Sequence, residues 1–378
     1  MNVLILCDKF LPVSEQFIYN QIKCLDVHNL FLFARKRIST KQHVIAFQNE
    51  LIWYDKPLQR LRYKFHKTSE QHPAYIQCLF QKFIAVNKID LVYVHYGTTA
   101  TAYLETLQEI RIPVICAFHG FDASRKLNNQ SYREAIISLG KSAFRFTVPS
   151  AYLAKKLEEI GVPVDKITKI PYGADIEKID RISGSSADSE DDKITIIHAG
   201  RLVAKKGVPD LVKVFLRITK KHSDLRLKIV GGGDQEGEVR SIINASNYHQ
   251  KIEMTGPLSH QELIAAVKSA DIFVLNSRET ERGETEGMPN SIMEAMACHT
   301  CVVSTRHSGI PELLTDNVNA LMVDPKQNDQ LEQALKALIQ DSQLRDRLQK
   351  SARKTVDQGF SLTRMKKTIN TLVTSADT

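Results

Sequence analysis

The chain has 378 residues, of which 43% are apolar and 25% are charged, and its formal net charge is +8. This length exceeds one ordinary hydrophobic core and predicts two domains of roughly 150–200 residues each. No apolar run approaches the roughly 18 residues of a membrane-spanning helix, and residues 1–15 lack a signal-peptide pattern. The six cysteines fall mostly inside apolar patterns, which indicates buried thiols in a reducing compartment. We therefore expect a cytoplasmic protein rather than a membrane-spanning or secreted one.

The positive charge is concentrated in the first half of the chain. Residues 1–180 contain 24 Lys and Arg against 17 Asp and Glu. Much of this excess falls between Arg35 and Lys67, where the cations alternate with the aromatic residues Trp53, Tyr54, Tyr63 and Phe65. Basic residues interleaved with aromatic ones fit an anionic membrane surface, here the inner face of the plasma membrane. A solvated basic face is the alternative, and no nucleic-acid motif accompanies the pattern.

Strands and helices alternate through the first half. Residues 2–7 (NVLILC) form a continuous apolar run typical of a buried strand, and Ser14 can cap a helix that carries Ile18 and Ile22 at helical spacing. The pattern continues with strands at Asp90–His95, Pro113–Phe118 and Phe144–Val148 and helices at Thr98–Glu109 and Ala151–Ile160. This order predicts an α/β fold with a doubly wound parallel sheet, whose ligands bind beyond the carboxyl ends of the strands.

His119-Gly120-Phe121-Asp122 lies at one of these strand ends. From position alone a histidine there is more often structural than catalytic. Beside a flexible glycine, however, its ring could donate a hydrogen bond to a sugar hydroxyl. His119 is therefore a candidate site residue.

A small, polar and acidic segment separates the two halves. Residues 182–192 read ISGSSADSEDD, a composition typical of an interdomain linker. We therefore predict a first domain at residues 1–182, a linker at 183–192 and a second domain at 193–359.

The second half begins again with a strand at Ile194–Ala199, and the loop after it reads GRLVAKKG. Arg201 and Lys206 in this loop suit a diphosphate, because arginine gives a forked contact and lysine a point charge. A later strand, Leu225–Val230, enters the glycine turn Gly231-Gly232-Gly233-Asp234. This turn could be a weak dinucleotide fingerprint, but the expected acid near Glu253 falls inside a strand and not at its end.

The stretch Gly283–Cys298, GETEGMPNSIMEAMAC, follows an apolar strand at Asp271–Asn276. Pro289 is expected at the first position of the helix that follows. The amides of Asn290, Ser291 and Ile292 would then be free to bind a phosphate.

Glu286 and Glu294 frame this helix start, with seven residues between them. Carboxylates beside a phosphate site are good acceptors for hydroxyl groups. Hydroxyls on both sides of a diphosphate describe a sugar nucleotide. Alone, the two glutamates could also be ordinary surface or helix-dipole charges.

Together these motifs resemble a known family. The spacing from Glu286 to Glu294 resembles the E-x7-E motif of retaining GT-B glycosyltransferases of family 4, also called glycosyl transferases group 1. Residues 200–207 resemble the family's G-R-L-x-x-x-K-G motif, and His119 to Asp122 resemble its HG-x-D element. The segments from Ser14 to Ile18 and from Tyr93 to Gly97 resemble an exopolysaccharide or colanic-acid branch. Tyr96 and Tyr172 depart from the Phe and Asn that are usual in this family.

The resemblance implies a GT-B fold, with two Rossmann-like domains facing a cleft and a last helix, at 360–378, that returns to the first domain. It implies a hexosyltransferase that uses a nucleotide sugar, with UDP-sugar favoured and GDP-sugar possible. The acceptor would be a lipid-linked or polysaccharide-precursor glycan. The cations would replace a divalent metal, so no cofactor is expected.

The resemblance also implies roles for particular residues. His119, Arg201, Lys206 and Glu286 would act in catalysis. Substrate would be bound by Asp122, Gly231, Gly233, Pro257, Leu258, Gly287, Met288, Asn290, Ser291 and Glu294.

Two other functions fit much of the same pattern. A sugar-nucleotide epimerase shares the fold and the phosphate chemistry, but it needs acid and base residues around the sugar. A non-catalytic sugar-nucleotide or glycan-binding module would keep Arg201 and Glu294 without turnover. The intact glutamate pair and both cations argue against a decayed site.

Overall fold

The structure is a computed structural model that describes residues 1–10, 15–38, 45–53, 74–142, 144–184 and 193–376. The chain divides into two compact units. Unit 1 contains Met1–Tyr172 and Thr363–Thr378, and unit 2 contains Gly173–Leu362. The segment at residues 173–182, which the sequence suggested as the end of the first domain, therefore clusters with unit 2.

Unit 1 is built on a seven-stranded sheet in the order β3-β2-β1-β4-β5-β6-β7, and every described pair of neighbouring strands is parallel. The central strands are apolar and covered on both faces, as parallel sheets require. The strands are β1 (Asn2–Phe10), β2 (Asn29–Arg37), β3 (Asn49–Ile52), β4 (Leu91–His95), β5 (Val114–Ala117), β6 (Phe144–Val148) and β7 (Ile167–Lys169).

Helices that cover this sheet bury one apolar face each. They are α1 (Gln16–Lys23), α2 (Ala74–Asn87), α3 (Gly97–Ala102), α4 (Leu104–Glu109), α5 (Gln130–Gly140) and α6 (Ala151–Glu159). The prediction of a single helix at Thr98–Glu109 is wrong, because the helix is interrupted at Tyr103 and two short helices form instead. The Tyr103 side chain is buried, with its ring centroid 5.2 Å from that of Phe80, so core packing overrides the helical pattern.

Unit 2 is built on a six-stranded parallel sheet in the order β10-β9-β8-β11-β12-β13. This order reverses between β8 and β11, which places a ligand crevice beyond the carboxyl ends of these strands. The strands are β8 (Ile194–Ala199), β9 (Leu225–Val230), β10 (Ile252–Gly256), β11 (Ile272–Leu275), β12 (Cys301–Thr305) and β13 (Leu321–Val323).

The helices of unit 2 are α7 (Ile176–Arg181), α8 (Val208–Ile218), α9 (Glu236–Asn244), α10 (His260–Lys268), α11 (Asn290–Ala297), α12 (Asn328–Gln340) and α13 (Ser342–Gly359). Two contacts explain why residues 173–182 belong here. Arg353 forms a two-pronged ion pair with Asp180, with both distances 2.8 Å, and Lys268 donates to the carbonyl of Ile182 at 2.7 Å.

The last helix, α14 (Leu362–Ala376), returns to unit 1. Its buried residues Met365, Ile369, Leu372 and Val373 repeat at helical spacing. Asn370 accepts a hydrogen bond from the amide of Asp26 at 2.8 Å and donates one to the carbonyl of Cys24 at 2.9 Å.

Several sequence expectations fall outside the described residues. These include the Ser14 cap, the linker at 185–192 and most of the basic segment between Arg35 and Lys67. At the described start of that segment, Arg35 pairs with Asp8 and Arg37 with Glu50, so these two cations add no unpaired charge. Cys78 is exposed, whereas the other five cysteines are buried. Among the helices that the structure describes, none is long and apolar enough to cross a membrane.

Candidate active site

The start of α11 provides unpaired backbone amides. Pro289 is the N-cap with extended backbone and not the first helical residue, and the amide of Ile292 donates to its carbonyl at 3.1 Å. The prediction of three free amides is therefore wrong for Ile292, because the first turn tightens onto Pro289. The amides of Asn290 and Ser291 have no acceptor in the described chain, and both residues are half-buried. Gly287 and Met288 are buried just before them.

Glu286 lies at the centre of a buried charge cluster. Its Oε1 is 2.9 Å from Nζ of Lys206, its Oε2 is 3.6 Å from Nζ of Lys205, and its side chain is only 7% exposed. Burial opposes its ionisation, but the two lysines outweigh this and lower the pKa of Glu286 to about 2. Glu286 is therefore a carboxylate at neutral pH, and it is held in place by both cations.

Lys206 experiences opposing influences. Burial lowers its pKa, Glu286 raises it, and repulsion from Lys205 and Arg201 lowers it again, with a net decrease. An ammonium group has three donors, and Glu286 uses only one of them. Arg201 is exposed and forms no ion pair with any described residue. The structure thus brings Lys206 to Glu286 and leaves Arg201 at the surface of the same loop.

The glycine turn after β9 packs against this loop. A Cβ atom at Gly231 would collide with the carbonyl oxygen of Gly200, and one at Gly233 would collide with that of Leu202. Gly231 also has a φ of +131°, which favours glycine. These two glycines therefore permit close approach to the Arg201 loop itself. Pro257 and Leu258 follow β10, where Pro257 is exposed and Leu258 is half-buried.

Two buried histidines near the charge cluster were missed from the sequence. His198 Nδ1 bonds to the carbonyl of Val274 at 3.0 Å, whereas His198 Nε2 and His307 Nε2 are buried without a partner in the described residues. Burial lowers the pKa of both rings, that of His198 to about 4. His307 follows a strand end, so the rule that ligands bind there could have found it. His198 is hidden inside the apolar pattern of β8.

Glu294, in the middle of α11, contacts a third histidine that had no predicted role. Its Oε1 accepts a hydrogen bond from Nε2 of His260 at 3.0 Å, and the side chains are 15% and 17% exposed. The sequence around His260 signals a helix start and gives no indication of this partner.

In unit 1, His119 is held on both ring nitrogens. Its Nε2 is 3.2 Å from Nδ1 of His95, and its Nδ1 is 2.8 Å from the hydroxyl of Tyr172. Burial, followed by His95, lowers the pKa of His119 well below its usual value, so the ring is neutral at pH 7. Donation to a sugar hydroxyl, as predicted, would require one of these bonds to break.

The segments that resembled the exopolysaccharide branch meet around His119. The ring of Phe17 lies 4.8 Å from the His119 ring, and the Tyr96 ring lies 4.7 Å from it, edge-on. The hydroxyl of Tyr96 donates to Glu15 at 2.9 Å. Tyr96 has a φ of +74°, an uncommon conformation for a residue with a side chain.

Asp122 shapes the His119 loop. Its carboxylate accepts hydrogen bonds from the amides of Gly97 and His119, each at 2.9 Å, and from Gly120 at 3.1 Å. It is fully buried, which raises its pKa although the three amides oppose the increase. In this conformation Asp122 contacts backbone and exposes no surface for a substrate.

The candidate residues therefore form two groups, each inside one unit. Unit 2 brings together Glu286 and Lys206. Glu294, eight positions after Glu286 in sequence, lies on α11. Unit 1 brings His119 and Asp122 together in one loop. In the described part of the chain, no group of three or more His, Cys, Asp or Glu side chains could hold a metal ion.

Comparison with known proteins identifies the class. The crystal structure of HepE from Anabaena, in complex with UDP-glucose, superposes with a TM-score of 0.81 over 99% of this chain and 100% of that chain, at 17% identity. This likeness, with the two parallel sheets, confirms the GT-B fold.

Two family profiles match the chain. The profile described as glycosyl transferases group 1 matches residues 181–355, and that of glycosyltransferase family 4 matches residues 30–178. The putative colanic acid biosynthesis glycosyltransferase WcaL of Escherichia coli is 30% identical over 277 residues, which cover 72% of this chain and 68% of WcaL. The amylovoran biosynthesis glycosyltransferase AmsK of Erwinia amylovora is 29% identical over 248 residues, 64% of this chain and 60% of AmsK. The chain belongs to the group 1 family of glycosyltransferases, as its motifs predicted.

Proposed function

We propose that the protein transfers a hexose from a nucleotide sugar, with retention of configuration, to a lipid-linked or polysaccharide-precursor acceptor. The observation that carries this proposal is the buried carboxylate of Glu286, fixed by Lys205 and Lys206 and followed by a helix start with unpaired amides. This arrangement offers an acceptor for sugar hydroxyls close in sequence to donors for a diphosphate.

The leaving diphosphate gains negative charge as the sugar bond breaks. The unused donors of Lys206, with Arg201 and the amides of Asn290 and Ser291, would stabilise that charge. Lys206 is already held by Glu286, and the two amides are held by the start of α11, so these donors need little reorganisation during the reaction. Glu286 would orient the hexose, and Glu294 would accept hydroxyls of the ribose.

Retention is proposed from the resemblance to the retaining family 4, and a double displacement would need a nucleophile that the described candidates do not offer. Glu286 is the carboxylate that would orient the hexose, but two cations hold it and lower its pKa to about 2. A carboxylate so tightly paired is a weak nucleophile. We therefore infer that the leaving group departs from, and the acceptor attacks, the same face of the sugar.

The donor and pathway are proposed by analogy. HepE binds UDP-glucose in its crystal, which supports a nucleotide-sugar donor and is the reason for favouring a UDP-sugar in the proposal. WcaL and AmsK are described as colanic acid and amylovoran biosynthesis enzymes, which supports a role in exopolysaccharide synthesis.

Hydrolysis of a panel of UDP-, GDP- and ADP-hexoses by the purified protein tests the proposal. We expect one donor to be cleaved, Glu286→Ala to abolish the cleavage, and the exposed Glu281→Ala in the same loop to leave it unchanged. Cleavage that survives in Glu286→Ala would contradict the role of this carboxylate.

The same assay separates the two other functions. An epimerase would convert the nucleotide sugar to its epimer with no dependence on acceptor. A binding module would bind nucleotide and show no turnover with any donor, even when glycan acceptors are supplied.

We also propose that the basic segment binds the inner face of the membrane. Neutralising Arg60, Arg62, Lys64 and Lys67 should reduce sedimentation with anionic vesicles. Binding that is unchanged in this variant would refute the proposal.

A further inference from the structure

The start of α10 is fixed by its own sequence. Ser259 accepts a hydrogen bond from the amide of Glu262 at 3.3 Å, and Glu262 accepts one from the amide of Ser259 at 2.8 Å. This reciprocal pair is a capping box, which satisfies two amides at the helix start and sets where the first turn begins. His260 is the first residue of that turn, so its backbone position is fixed.

From there His260 reaches Glu294 on α11. Its Nε2 donates to Oε1 of Glu294 at 3.0 Å, and both side chains are more than four-fifths buried. The second oxygen, Oε2, accepts no hydrogen bond from any residue that the structure describes. Because each carboxylate oxygen has two acceptor sites, Glu294 retains capacity on both oxygens for two adjacent hydroxyls.

The other ring nitrogen of His260 lacks a hydrogen-bond partner in the part of the chain that the structure describes, so a fully satisfied core histidine does not describe this residue. Nδ1 is buried and has no partner in the described chain. A buried unpaired polar atom disfavours folding and calls for an explanation. Among the described residues the ring hydrogen-bonds to Glu294 alone, so orientation of that carboxylate is the explanation that the contacts offer.

We propose that His260 is a positioning residue for nucleotide recognition, which holds the Glu294 carboxylate ready to accept the two hydroxyls of the ribose. This inference rests on the proposed function, because it assumes that Glu294 contacts the ribose. A free glutamate side chain would have to be ordered when the ligand binds, whereas a side chain that is already oriented binds more tightly.

The experiment measures affinities of the full-length protein for UDP and for 2′,3′-dideoxy-UDP, which lacks both ribose hydroxyls, by isothermal titration calorimetry. We expect His260→Leu to weaken UDP binding about tenfold, as for the loss of one hydrogen bond to a charged group. Binding of 2′,3′-dideoxy-UDP should not change. The preference for ribose would therefore fall by the same factor.

Three further variants complete the design. His260→Gln can still donate to Glu294 and should restore part of the preference. His260→Asn is shorter and should behave like His260→Leu, which provides a second test if the leucine variant does not fold. His249→Leu is the matched control, because His249 is exposed in the same unit and its Nδ1 contacts the carbonyl of Ser246.

The variant Glu294→Gln separates failure of the inference from failure of the proposed function. If Glu294→Gln lowers the ribose preference and His260→Leu does not, the inference is wrong and the role of Glu294 stands. If Glu294→Gln leaves the preference unchanged, the ribose contact is wrong, and the role of His260 with it. In a Glu294→Ala background, where His260 has no acceptor left to orient, a further loss of preference from His260→Leu would also overturn the inference.

Discussion

At the residue scale, the buried cluster of Glu286, Lys205 and Lys206 gives a prediction about the stability of the fold. Glu286→Gln would leave the two lysines facing each other without an anion. Removal of one partner from a buried pair costs about 3–5 kcal/mol. We expect a loss of this size in urea unfolding at pH 7, whereas Glu281→Gln should change little. The double variant Glu286→Leu/Lys206→Met should lose less, because it removes both charges.

The same carboxylate predicts a pH dependence. Its pKa in the folded protein is about 2, below the ordinary value of 4.5, so its ion pairs stabilise the fold above pH 4.5. This contribution is lost as the pH falls from 4.5 towards 2. The difference in unfolding free energy between the unchanged protein and Glu286→Gln should be constant above pH 4.5 and should shrink below it. A difference that does not depend on pH would show that the pKa is not depressed.

Tyr172 gives a second prediction for a single residue. Its hydroxyl fixes one ring nitrogen of His119, and His95 fixes the other. Loss of one neutral hydrogen bond is worth about 0.5–1.5 kcal/mol, so Tyr172→Phe should lower kcat by up to about tenfold and leave the affinity for UDP unchanged. In the unchanged protein, nitrogen NMR of labelled histidine should show a neutral His119 ring at pH 6. A protonated ring at that pH would contradict the lowered pKa.

At the scale of elements, the start of α11 can be tested without breaking the helix. Proline is favoured at the first helical position, and Pro289 before it already has the extended backbone that proline requires of its predecessor. Asn290→Pro therefore removes the unpaired amide and keeps the helix. We expect affinity for UDP to fall about 10- to 100-fold, as for a bond to a charged group.

Asn290→Ala is the control for this variant, since it removes the side chain and keeps the amide. It should bind UDP as the unchanged protein does, and thermal unfolding should show that both variants are folded. Equal affinity in the proline and alanine variants would mean that this amide does not contact the phosphates.

Much of the element order could be predicted from the sequence, because buried parallel strands are continuous apolar runs. The strands at Phe144–Val148, Ile194–Ala199 and Leu225–Val230 have the predicted bounds. The break at Tyr103 could not be predicted, since it depends on aromatic partners distant in sequence. The same limit applies to the site, where motifs identify Glu286 and Glu294. Their histidine neighbours come from other elements that only the fold brings close.

At the scale of the whole molecule, unit 1 is assembled from both ends of the chain. Asn370 on α14 hydrogen-bonds to Asp26, which is 344 positions away in sequence, and to Cys24, which is 346 positions away. The sequence of α14 predicted an amphipathic helix, but the residues that it contacts depend on the fold. Unit 2, by contrast, is one continuous segment, Gly173–Leu362.

Because α14 belongs to unit 1, we expect a single core substitution in this carboxyl-terminal helix to destabilise unit 1. Ile369 is fully buried, and replacement of a buried isoleucine by alanine costs about 2–5 kcal/mol. In Ile369→Ala, hydrogen exchange should accelerate in β1 and β4 and remain unchanged in β8 and β11. The exposed Thr374→Ala on the same helix should alter neither sheet. Faster exchange in the strands of unit 2 would show that the two units do not unfold independently, and unchanged exchange in both would mean that α14 contributes little to unit 1.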